Sequence, residues 1–292
     1  SLYTNTTGQY NVGMGYEALL QNTIGERNVG VGYQVLRSNT TGVRNVAIGP
    51  SALYSNNIGQ KNVAIGDTSM YQNTGGINNV AVGSEALKDN TTGNNNVAIG
   101  LECLKSNTTG IRNVAIGTTA LRTNTIGTKN IAMGDSSLFS NTTGTENIAL
   151  GDAAMYQNIT GEKNLAVGSA ALVNNTTGSF NVALSYQSLY SNTTGQFNVG
   201  IGYQTLYSNT TGQRNVAMGY QSLKDNTIGT DNIALGDNAL TNNTTGQQNI
   251  AIGRDAMQKN TTGIRNVAMG ASALLVDHLI LQLVQTHLRI LQ

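Results

Sequence analysis

Asn45-Val46-Ala47-Ile48-Gly49-Pro50-Ser51-Ala52-Leu53-Tyr54-Ser55-Asn56-Asn57-Ile58-Gly59-Gln60-Lys61 is one unit of a pattern that recurs every 17 residues. The leading asparagine returns at Asn11, Asn28, Asn45, Asn62 and onward to Asn266, sixteen copies without an insertion or deletion. A fixed period near 20 marks a solenoid, because one such unit cannot bury its apolar face alone and must stack on its neighbours. Within the unit, the second and fourth positions are always aliphatic or Met, as in Val12 and Met14 or Ile250 and Ile252, with Ala or Gly between them. That alternation, ended by Gly, predicts a short strand. Leu53 and its equivalents, always Leu or Met, supply a further apolar contact. Asn-Thr-Thr-Gly or its variants make the turn: Asn bonds its own backbone, and Gly accepts positive φ. A helix is the weaker reading, since each recurring Gly costs it about 1 kcal/mol.

The predicted fold is therefore all-β, a parallel β-solenoid (β-roll) of sixteen 17-residue coils over residues 1–275. Stacked at about 4.8 Å, they would extend about 75 Å. The expected interior holds Val46, Ile48 and Leu53 with their equivalents. Asn45 and Asn56, present in every copy, are expected to form amide ladders, as in stacked parallel sheets. The Ala47 column, Ala or Gly throughout, is expected to face outward as a strip of small side chains through which chains pack closely.

Composition narrows the function. Net charge is +1, from 16 basic and 15 acidic residues scattered singly, so there is no electrostatic footprint for nucleic acid or an anionic membrane. No apolar run reaches the roughly 20 residues a membrane-spanning helix needs. Apolar content of 39% separates the chain from disordered sequences. The one Cys, Cys103, stands where neighbouring copies carry Ala or Ser, and reads as a small buried hydrophobe. Both histidines, His278 and His287, lie beyond the repeats, leaving no triad, proton shuttle or metal set within them. We expect no catalysis, no cofactor and no metal. Asp67, Asp135, Asp152 and Asp237 share one column and read as a solvated face. Thr rows at the turn are interrupted by Ile24, Ile58, Gly75 and Ile126, against an ice-binding reading.

Two features are candidate sites. Asn-x-Thr occurs at eleven turns, including Asn39, Asn107, Asn141, Asn192 and Asn260, each formally a glycan acceptor. Tyr186, Tyr190, Tyr203, Tyr207 and Tyr220 form a local aromatic patch suited to contact with a partner.

Asn-Val-Ala-Ile-Gly, as at 45–49 and 113–117, resembles the head repeat of trimeric autotransporter adhesins. Ser-Asn-Thr-Thr-Gly, then Asn-Val-Ala-Ile-Gly, then Tyr-Gln-Ser-Leu-Tyr-Ser as at 186–191, is similar to repeat arrays of phage tail-fibre-like proteins. The resemblance covers residues 1–275, although this unit of 17 is longer than the adhesin unit. It implies left-handed β-rolls, three chains side by side, in an extracellular or virion fibre. The expected function is a structural shaft or adhesive head that self-associates as a homotrimer and contacts a cell-surface receptor or glycan. The alternative is an extracellular filament formed by end-to-end stacking of coils.

Ser1-Leu2-Tyr3 matches the middle of a unit, as a fragment would. From Val276 the repeat stops. Val276, Leu279, Ile280, Leu283, Val284, His287, Leu288 and Leu291 fall on one helical face, so the tail at 276–292 reads as an amphipathic capping or trimerising helix. A second reading is a frameshift product, because codons for Leu279-Ile280-Leu281-Gln282 and Ile290-Leu291-Gln292 can encode Asn-Thr-Thr in another frame.

Overall fold

The computed structural model describes residues 1–274; the tail reading at 276–292 lies outside them. The chain is all-β, a parallel β-solenoid with one three-residue strand per coil, and the described residues hold sixteen strands and no helix. The chain divides into two compact units, the first Ser1–Asn164 and the second beginning at Leu165. In the first, β1 (Val12–Met14) through β9 (Ile148–Leu150) pair consecutively. In the second, β10 (Leu165–Val167) through β16 (Val267–Met269) do the same. Register follows the repeat, so that each residue faces its counterpart 17 positions on, as Val46 faces Val63.

The side-chain parity of the strand reverses the sequence expectation. Ala47, Ala64, Ala81, Ala98 and Ala115 have no exposed surface, whereas Ile48, Ile65 and Ile99 on the same strands are 41%, 37% and 40% exposed. The Ala47 column is thus in the core, and the Val46 and Ile48 columns point away from it. The reason is alternation: Asn45 projects inward to its ladder, so Val46 must project outward, Ala47 inward and Ile48 outward. An interior containing Asn45 leaves no room for its neighbour Val46. Leu53 and its equivalents are inside as expected, each accompanied by Ala52 or a counterpart. The apolar interior of one coil therefore amounts to two small residues and one large one.

Both asparagine columns form ladders. Asn113 Nδ2 donates to Asn96 Oδ1 at 3.2 Å and to Gly127 O at 2.9 Å, while Asn113 Oδ1 accepts from the backbone N–H of Asn130 at 3.0 Å. In the other column, Asn124 Nδ2 donates to Asn107 Oδ1 at 2.9 Å and to the same Gly127 carbonyl at 3.1 Å. Two ladders thus converge on one glycine carbonyl per coil. These contacts meet the requirement that buried polar groups be hydrogen-bonded. Gly127 is needed for close approach and not for positive φ: a Cβ there would stand 2.5 Å from Gly144 O.

Successive tight turns close the coil. Ala52 N–H donates to Gly49 O at 3.4 Å, Tyr54 N–H to Ser51 O at 3.2 Å and Asn56 N–H to Leu53 O at 3.1 Å. Ser51 and Leu53 occupy the third positions of the first two turns with φ of 52°, the left-handed region. Turns of this kind rotate the chain sharply within a few residues, at a steric cost offset by the ladders and the stacked core.

Candidate contact surfaces

Three surfaces lie outside the core. The first is the outer face of the strands. In every coil its two columns carry only Val, Ile, Leu or Met. Met14, Ile48, Ile65, Ile99, Met133, Met218 and Met269 are among those exposed, and the remainder are mostly half-buried by their neighbours along the column. A row of β-branched and Met side chains unbroken by charge differs from the scattered exposed aliphatics of an ordinary surface.

The second surface follows the strand-ending glycine. Tyr186, Tyr203 and Tyr220 stack in one column, with ring centroids 5.7 and 5.3 Å apart, and Tyr190 stacks on Tyr207 at 4.9 Å. The structure thus brings the five predicted tyrosines into two columns. Between them runs an amide ladder that the sequence reading missed: Gln221 Nε2 donates to Gln204 Oε1 at 3.0 Å, and Gln204 Nε2 to Gln187 Oε1 at 2.8 Å. The signal was the recurrence of Tyr-Gln at a separation of 17.

In the first unit the same columns carry charge. Arg37 Nε donates to Glu17 Oε2 at 2.7 Å. Lys105 pairs with Glu85 and Glu102, and Arg122 with Glu102. The hydrogen bond from Arg37, then that from Gln34, holds the Glu17 carboxyl below its ordinary range. Lys105, then Arg122, does the same for Glu102. These partners are in contact with solvent, which screens the pairs and leaves them a minor part of the stability.

The third group is the turn asparagines proposed as glycan acceptors, which the structure places inside the coil. Asn39, Asn107, Asn141 and Asn192 have no exposed surface and Asn260 is 6% exposed. Their Nδ2 atoms donate along the ladder, Asn107 to Asn90 Oδ1 at 2.8 Å and Asn192 to Asn175 Oδ1 at 2.8 Å. The folded coil does not present the atom to which a glycan would be attached.

Other chemistry is sparse. Cys103 is buried, and burial pushes its thiol up to about 12, far from a reactive thiolate. Asp67, Asp135, Asp152 and Asp237 are exposed; Asp135 and Asp237 accept backbone N–H groups of Thr118 and Tyr220, which ties them to the preceding coil. Among the described residues no three His, Cys, Asp or Glu side chains are grouped to hold a metal ion. None of the described residues forms a helix long and apolar enough to cross a membrane.

No family model matches the chain, and a search of curated proteins returns no match.

Proposed function

We propose that this chain is the structural shaft or adhesive head of an extracellular or virion fibre, acting through length and a repeated surface without catalysis. The observation that carries the reading is the aliphatic outer face of the strands. In the first unit nine rows at about 4.8 Å, three residues wide at about 3.3 Å each, give a footprint of about 430 Å²; seven rows in the second give about 330 Å². Each taken by itself rivals the largest apolar patch of a typical monomer, the kind of surface that marks an interaction site.

The occupant is a further copy of this chain. A sheet whose side chains repeat at the strand spacing interdigitates along its length with another sheet of the same spacing, as paired sheets do in dry interfaces. The small-residue interface suggested by sequence is replaced by this aliphatic one, since the Ala47 column is buried within the coil. The fibre resemblance suggests three chains, and the stacked tyrosines offer a separate face for a receptor or glycan.

Sedimentation equilibrium tests the reading. The wild-type chain is expected to sediment as a defined oligomer, three chains if the resemblance extends to assembly. A variant with Ile99, Ile116 and Met133 changed to Lys is expected to be monomeric, with far-UV circular dichroism unchanged. A monomeric wild type at tens of micromolar, or a triple variant that stays assembled, removes the interface. Electron micrographs showing fibrils of indefinite length would favour end-to-end stacking instead.

A further inference from the structure

In the column that closes each strand, fifteen glycines from Gly15 to Gly270 adopt φ between 123° and 142°. Ser185 stands alone among them as a residue with a side chain, at φ of 119°. The column has no space for one. A Cβ on Gly202 would stand 2.5 Å from Gly219 O, and one on Gly219 2.6 Å from the carbonyl carbon of Gly236. Ser185 places a Cβ in the equivalent position, in a backbone region that L residues rarely occupy.

The surroundings register the misfit. Links between coils along the next column are 2.9 Å for Gln221 N to Tyr203 O and 2.8 Å for Asn238 N to Tyr220 O, but 3.1 Å for Gln187 N to Ser169 O and 3.2 Å for Gln204 N to Tyr186 O. Phe197 N to Ser179 O is also 3.2 Å, against 3.0 Å for Arg214 N to Gln196 O. The Tyr186–Tyr203 rings are inclined by 19°, whereas Tyr203 and Tyr220 differ by 5°. Beneath them the core is less apolar: Ser188, Thr205 and Ser222 follow one another in a column that elsewhere is mostly Ala, Ser188 and Thr205 share a hydrogen bond of 2.8 Å, and Gly200 replaces the strand alanine. A Cβ on Gly200 would stand 2.6 Å from Ser188 Oγ. Strain, longer inter-coil bonds and a thinner apolar core coincide where the coil at 181–197 meets the one at 198–214.

We infer that the coil at 181–197 is a built-in opening point, where the solenoid parts reversibly before the coils of the first unit do. Opening there frees the edges of β11 (Val182–Leu184) and β12 (Val199–Ile201), giving one defined place for proteolytic nicking.

Native-state hydrogen exchange of the full chain, read by mass spectrometry, tests this by comparing residues 182–204 with the equivalent 114–136. The former are expected to exchange at least about tenfold faster, the scale set by a strained backbone residue. Ser185→Gly is expected to slow 182–204 to the rate of 114–136 without altering the latter. Gly117→Ser is expected to create a second fast segment in the first unit. Equal rates in the wild-type chain, or a Ser185→Gly variant that still opens rapidly at 182–204, would overturn the inference; both comparisons hold even if Gly117→Ser fails to fold.

Discussion

Leu121→Ala is expected to lower the free energy of unfolding by about 2–5 kcal/mol, the range for truncating a fully buried leucine. The narrow coil places this side chain where little can compensate. Leu121 has no exposed surface, and the other apolar residues of its coil interior are Ala115 and Ala120. Its column is continued by Leu104 and Leu138 in the adjacent coils. Removing three carbons opens a gap in that column, and the hydrogen-bonded coils on either side limit how far it can collapse. Urea unfolding monitored by circular dichroism measures the loss. A cost below about 1 kcal/mol would mean that the leucine column does not carry the core.

Asn113→Ala removes no apolar packing, yet is expected to cost about 2–4 kcal/mol. The substitution leaves two buried backbone groups short of a partner: the Gly127 carbonyl loses the bond from Asn113 Nδ2, retaining that from Asn124, and the Asn130 N–H loses its acceptor. An unsatisfied buried group costs about 1–3 kcal/mol, and the ladder bond to Asn96 is lost as well. Asn113→Asp is expected to be worse near neutral pH, since it puts a carboxylate beside Asn96 Oδ1 and Gly127 O where donors are required. Changing Asn57, an exposed neighbour of the ladder, to Ala is the control and is expected to cost within about 0.5 kcal/mol. Thermal melts that rank Asn57→Ala with Asn113→Ala would mean the ladders contribute no special stability.

The 17-residue recurrence makes coil length, strand position, the leucine column and both asparagine ladders legible in the sequence. Strand parity is harder to read because hydrophobicity and alternation compete. Ranking by hydrophobicity puts Val46 and Ile48 inside; the ladder puts Asn45 inside, and adjacent strand residues cannot share a side. The ladder prevails because a buried carbonyl and N–H in every coil depend on it, whereas an aliphatic face can be covered by another chain. The turn asparagines carry the same ambiguity, as a glycan acceptor and a ladder residue are spelled alike in Asn-Thr-Thr. The structure buries them as ladder residues. The tyrosine patch was visible as composition, while its stacking and the glutamine ladder depend on contacts between residues 17 apart. Ser185 went unremarked in the sequence, where a serine in a glycine column looks conservative; its meaning depends on the backbone geometry of that column.

Parity is the point on which the fold and the proposed assembly both depend, and Ala98 and Ile99 test it as adjacent residues. The measurement is the thermal melting of Ala98→Leu and Ile99→Lys against the wild-type chain, followed by circular dichroism at concentrations low enough for chains to be dissociated. Ala98 is fully buried and Ile99 is 40% exposed. Overpacking at Ala98 is expected to cost about 1–3 kcal/mol, with melting lowered by several degrees. Ile99→Lys is expected to melt within about 0.5 kcal/mol of the wild-type chain, its effect being confined to association. The opposite order, with Ala98→Leu tolerated and Ile99→Lys unfolding the single chain, would place the aliphatic columns inside and contradict the account.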